Sequence, residues 1–135
     1  MNRIFKIFFK TKKIKKRKVR RNQTQYLSNK QKAKEIAKDR LEYFNQFYGY
    51  KWNSIVIRNQ KTRWGSCSKE GNLNFNYKIA LLSAQLSDYI IVHELCHLGE
   101  FNHSRDFWIL VEKTIPNYKT IRAKLKNNPL PFNLK

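Results

Sequence analysis

Acidic residues are scarce in this 135-residue chain: nine Asp and Glu stand against 29 Lys and Arg, for a formal net charge of +20. At the start the scarcity is complete. Residues 1–21 hold eleven basic side chains and no acid, while 22–135 hold eighteen basic and nine acidic ones, so the two parts contribute +11 and +9. That asymmetry implies a basic arm on a moderately basic domain. Cysteine is rare as well. Cys67 and Cys96 are too few for a disulfide scaffold, and nothing suggests secretion. No run approaches the ~20 apolar residues of a membrane span. The opening "MNRIFKIFFKTKKIKKRKVRR" breaks its few apolar residues with lysines, so it lacks the unbroken apolar core of a signal peptide. These absences lead to a reduced, cytoplasmic protein as the expectation. Histidine is the scarcest of the chemically active residues. There are three, and all fall in "YIIVHELCHLGEFNHSRDFW", residues 89–108.

What is present suffices for one globular core: 41% of residues are hydrophobic and 14% aromatic. The pattern divides into a basic, disordered arm (1–25), a folded domain (26–128) and an irregular tail (129–135). Ile4, Phe5, Ile7, Phe8, Phe9 and Ile14 interrupt the arm's lysines, so residues 1–21 suit either nucleic acid or an anionic membrane surface as a non-specific partner. In the domain, Ser28 and Gln31 form a capping-box pattern ahead of a helix whose apolar face is Ala33, Ile36, Ala37, Leu41, Phe44, Phe47 and Tyr48, with Gly49 at its stop. Trp52 and Ile55–Ile57 favour a strand. Residues 62–77 read as a hairpin around Ser68–Gly71, with Asn72, Asn74 and Asn76 alternating with Leu73, Phe75 and Tyr77. Helices are expected at 86–99, ended by Gly99, then from Ser104 to near Pro116, and over 117–127. A helix, a small antiparallel sheet and then further helices define an α+β class.

On the 86–99 helix, His93 and His97 are four residues apart and project from one face. Glu94 lies about 100° round the axis, close enough to hold a metal-bound water without becoming a ligand. This is the H-E-x-x-H signature of zinc peptidases. Two histidines leave a zinc site one protein ligand short of three plus an open position. A break at Gly99 lets residues 99–102 bring His103 back, so His93, His97 and His103 are the expected Zn²⁺ ligands and Glu94 the catalytic base. Glu100 is the rival third ligand and would need the helix to continue through Gly99. Cys96 is expected to be a buried thiol. Arg63–Ser66 admit two readings: a hairpin with Trp64 in the core and Gly65 at a tight bend, or Arg63 beside the metal, binding a substrate carboxylate or an oxyanion. Asp88 and Asn102 are candidate acceptors for a ligand imidazole, Asp88 being also a good first-turn helix residue. Trp108 is expected in the core.

"RWGSCS" (63–68), "GNLNFN" (71–76), "DYIIVHELCHL" (88–98) and "NHSRDFW" (102–108), in that order over about residues 28–127, resemble the YgjP-like metallopeptidase domain, a zincin group akin to the SprT-like peptidases. The resemblance implies a small twisted sheet packed on the active-site helix, zinc on His93, His97 and His103, and Glu94 as general base. Longer members carry a β-rich segment where this chain has only the arm. The expected function is hydrolysis of peptide bonds in a peptide or protein substrate by a Glu-activated, zinc-bound water. Arg63, Tyr77 and Tyr118 are the candidate oxyanion donors, and strand 72–76 could pair with the substrate. The alternatives are a nucleic-acid-tethered protease acting on DNA-bound proteins and a catalytically silent zinc-containing binding module.

Overall fold

The computed structural model describes the backbone of residues 3–127 and the side chains of residues 15–127. The tail 129–135 and the apolar side chains of residues 4–14 lie outside the described residues. The first helix, α1, runs without interruption from Arg3 to Asn45. It therefore begins far ahead of Ser28, and residues 3–25, expected to be disordered, are helical. No glycine or proline occurs before Gly49, Lys, Arg and Gln are good helix formers, and each added residue needs only one more hydrogen bond once a helix exists. Ser28 is no cap: its hydroxyl donates back to the Gln25 carbonyl at 3.1 Å inside the helix. Ala33, Ala37, Leu41 and Phe44 are the buried stripe, while Phe47, beyond the helix end, is 47% exposed. Gly49 takes a φ of +74°, which only glycine adopts cheaply, and donates to the Asn45 carbonyl to close the helix.

Three strands follow: β1 (Ser54–Arg58), β2 (Gly65–Cys67) and β3 (Asn72–Asn76). The expected hairpin joins β2 and β3 antiparallel, its turn closed by Gly71 at φ +82°. β1 instead pairs in parallel with the far edge of β3, so the order is β1-β3-β2 and the sheet is mixed. A parallel pair needs a crossover, and the whole hairpin serves as one here. With both edges of β3 occupied, it cannot receive a substrate strand. Leu73 and Phe75 are buried on one face. On the other, Asn72 accepts from Asn53 and Ser54, and Asn74 bridges Arg58 and Ser66.

After a 3-10 turn (Tyr77–Leu81), Ser83 caps α2 (Ala84–Cys96), which begins two residues before the expected start and ends at His97, before Gly99. Every residue from Tyr89 to Cys96 is buried. A helix buried on all sides is a central one. The sheet, α1, α3 (Arg105–Thr114) and α4 (Tyr118–Lys126) all pack against it. Arg40 on α1 grips Asp88 in the first turns of α2 with two hydrogen bonds, at 2.7 and 2.9 Å. Asp88 is thus committed to holding two helices together and not to orienting a histidine. The α+β class and the sheet packed on the histidine-bearing helix agree with expectation.

Candidate metal centre and active-site cleft

The last two turns of α2 aim His93 and His97 at one point, and the turn from Leu98 to Ser104 brings His103 to meet them. The His93 Nε2 atom lies 3.2 Å from that of His97 and 3.1 Å from that of His103, and among the described residues these three offer ligand atoms within 4.8 Å of one another. Nitrogens ~2.0–2.1 Å from one tetrahedral zinc ion stand roughly 3.3–3.4 Å apart, close to what is observed. One ring nitrogen can donate to or accept from one neighbour in its plane, not two. A shared cation satisfies all three lone pairs, so the donor set fits a metal. Burial lowers the pKa of His97 and of His103, with Arg122 acting the same way on His103. On these two rings burial thus favours the neutral form, the one that ligates.

The imidazoles are fixed from outside. His97 Nδ1 lies 3.0 Å from the Glu100 carbonyl. As the donor in that bond it leaves Nε2 as the lone-pair nitrogen. Glu100 thus contributes its backbone, and its carboxylate stays outside the cluster. Phe107 touches all three rings: it stacks on His97 at 4.5 Å and meets His93 and His103 edge-on at 5.0 and 4.9 Å. Trp108 stacks on His103 at 5.9 Å and on Tyr118 at 5.1 Å, and Arg122 lies over its ring. Trp108 is thus half-buried support for an exposed histidine rather than a core residue.

Glu94, 3% exposed, faces a cleft of about 340 Å³ lined by residues 62–67, His97, Phe101 and His103. Burial pushes its carboxyl up to about 8 against the opposing pull of the Arg63 charge, and a divalent cation on the histidines would pull it down further. Gly65 backs this carboxylate. A Cβ there would sit 2.8 Å from Glu94 Cγ and 2.9 Å from the Asn74 carbonyl oxygen. Its φ is not positive, so close approach and not a tight bend is why glycine occupies the position. Gly99 likewise leaves room for the Tyr50 hydroxyl, which a Cβ would strike.

A family model described as the YgjP-like metallopeptidase domain matches residues 4–128. The chain belongs to the YgjP-like metallopeptidase family. Two solved structures resemble this YgjP-like chain. One is the metallopeptidase zymogen abylysin of Pyrococcus abyssi, at 28% identity and a TM-score of 0.65, covering 73% of this chain and 99% of that one. The other is the metallopeptidase zymogen jannalysin of Methanocaldococcus jannaschii, at 26% and 0.56, covering 70% and 94%. Comparison with curated proteins gives no match. Membership of a metallopeptidase family implies a metal cofactor, and the three-histidine group is where this YgjP-like chain can hold one.

Of the three candidate oxyanion donors, only Arg63 lines the cleft. Tyr77 is buried against α1, its hydroxyl donating to Gln25, and Tyr118 is the outer layer of the Trp108 stack. Asn102 is exposed on the turn. Sequence reasoning missed Phe107, the Glu100 carbonyl, the contact of Gly65 with Glu94, and Asn76. The last is fully buried and donates to the carbonyls of Gln60 and Arg63, holding the loop that walls the cleft. Its place in a regular Asn-x-Asn-x-Asn alternation conceals it; a signal for Phe107 was available in the paired aromatics one turn beyond the third histidine.

Proposed function

We propose that this protein is a zinc-dependent endopeptidase in which His93, His97 and His103 hold the zinc and Glu94 is the general base. The convergence of the three Nε2 atoms beside a buried carboxyl, in one open cleft, supports this reading. Zinc supplies Lewis acidity when bound, lowering the pKa of water and polarising a scissile carbonyl. Glu94 takes a proton from the attacking water and delivers it to the leaving amine. β2 flanks the cleft at the sheet edge and offers a main chain with which an extended substrate can pair. A catalytically silent zinc module has no use for a carboxylate beside its ligands. The test is Glu94→Gln, which should keep its metal and fold and lose about 10²–10⁴ in peptide turnover. Unchanged turnover in metal-replete Glu94→Gln protein removes Glu94 from the mechanism.

A reducing, cytoplasmic setting suits the two free cysteines, and among the described residues no helix is long and apolar enough to cross a membrane. The basic half of α1 favours a polyanionic partner, nucleic acid or anionic membrane. Lys15–Lys18, Arg20 and Arg21 are all exposed, and no acid precedes Glu35. With about five phosphate contacts, the slope of log K against log salt for duplex DNA would be near −4 to −5. A salt-independent affinity, or none for DNA or anionic vesicles, contradicts this partner.

A further inference from the structure

One exposed guanidinium, that of Arg63, lines the same cleft as His97 and His103, and the fold holds its backbone in place. Residues 59–64 cross from the end of β1 to the start of β2. Buried Asn76 pins this crossing from behind, through the Gln60 carbonyl at 2.8 Å and the Arg63 carbonyl at 3.1 Å, while its own N–H donates to the Trp64 carbonyl at 2.8 Å. Trp64 is fully buried. Three hydrogen bonds thus hold the crossing, one of them on the Arg63 carbonyl itself, and the next residue is anchored in the core, while the Arg63 side chain is exposed at the cleft.

Three of the other four arginines of the body are engaged within the chain, Arg105, exposed on α3, being the exception. Arg40 is paired with Asp88, Arg58 donates to Asn74 and Arg122 covers Trp108. Among the described residues no hydrogen bond or ion pair within the chain occupies the Arg63 side chain. Glu94 is, among the described residues, the only acidic one lining the cleft, and it is spoken for by the chemistry. A guanidinium is charged at every physiological pH and presents a planar fork of donors matched to a carboxylate. A cleft edged by such a group, in a protein of net charge +20, gathers anionic segments of substrate and repels cationic ones.

We infer that Arg63 reads a carboxylate of the substrate next to the bond that is cut. This rests on the peptidase reading above and adds the substrate class to it: acidic peptides. Two sources supply the same chemistry, an Asp or Glu side chain and the α-carboxylate of a peptide's C-terminus. Phe101, 42% exposed and lining the same cleft, gives the apolar part of the same segment a surface to lie on.

The test uses the metal-replete full chain and peptide pairs that differ only in Glu against Gln at one position, or in a free against an amidated C-terminus. Hydrogen bonds to charged groups are strong enough that the acidic member should have a kcat/KM roughly tenfold or more above its amide partner, mostly through KM. Arg63→Gln should bring the acidic peptide down to the level of its amide partner, and Arg63→Lys, which keeps the charge and loses the fork, should fall between. The same pairs are titrated calorimetrically into Glu94→Gln protein, with and without Arg63→Gln. The acidic peptide should bind more tightly only where Arg63 is present, and added salt should shrink the difference. A preference that follows the side chain assigns an acidic residue; one that follows the terminus assigns the α-carboxylate. Equal or absent binding of both members overturns the inference. So does a rate loss of the same size on both members in Arg63→Gln, which would put Arg63 on the reacting carbonyl. No cleavage of any peptide would count against the peptidase reading, while the titrations still decide the role of Arg63.

Discussion

Replacing Gly65 by alanine adds one methyl group at a close approach between β2 and α2. The new Cβ would stand 2.8 Å from Glu94 Cγ, 2.9 Å from Glu94 Oε1 and 2.9 Å from the Asn74 carbonyl oxygen. Glu94 sits in the buried stretch of α2, and the Asn74 carbonyl belongs to the central strand, so neither yields easily. Relief has to come from Glu94 turning away or from the short edge strand β2 peeling off β3. The glycine has no positive φ, so backbone strain adds nothing and the cost is steric. Overpacking of this kind typically costs ~1–3 kcal/mol. Catalytic geometry displaced by 1 Å can lose on the order of 10²-fold in rate. Gly65→Ala should therefore bind zinc normally, because the three atoms nearest the new methyl belong to Glu94 and Asn74 and none to a histidine, yet unfold at lower urea with an unchanged m-value and turn over peptide about a hundredfold more slowly. A variant matching the parent in both urea midpoint and turnover would refute the claim that Gly65 is there to admit Glu94.

Asp88→Asn should cost about 1 kcal/mol, the range for a partly exposed pair of good geometry, and leave zinc affinity unchanged; weakened zinc binding would return Asp88 to the ligand surroundings. The two thiols should be sluggish. Burial pushes Cys67 up to about 11, with Glu94 adding to the effect, and Cys96 up to about 12. Alkylation at pH 8 should therefore be slow in the native protein and fast in urea. Both folded-state values are raised above the ordinary 9, so this contribution to stability is fully present below pH 9. It should be lost as pH climbs through about 11 to 12; a urea midpoint flat across that window contradicts the assignment.

The histidine cluster was legible because its three members fall within eleven residues of chain, where helical periodicity alone puts His93 and His97 on one face. Side-chain partners far apart in sequence were not. Arg40 and Asp88 are 48 positions apart, and nothing local to either names the other, so Asp88 read equally well as a helix-start residue. β1 looked like one more antiparallel strand, since hydrophobic alternation carries no information on direction. The helix start at Ser28 rested on a cap pattern that competes with propagation from upstream, and an unbroken run free of Gly and Pro decided for propagation. Gly65 and Gly99 were read as conformational devices. Their actual partners, Glu94 and Tyr50, lie in other elements, and only the packed structure shows that the need is space.

X-ray absorption of the zinc-loaded protein tests the central claim most directly, because scattering distances separate nitrogen and oxygen from sulfur. The account predicts one zinc per chain in a shell of nitrogen and oxygen at ~2.0–2.1 Å with imidazole scattering, lost in His103→Ala and kept in Glu100→Ala. A sulfur shell near ~2.3 Å, which would bring Cys67 into the site, or an unchanged spectrum in His103→Ala, would contradict it.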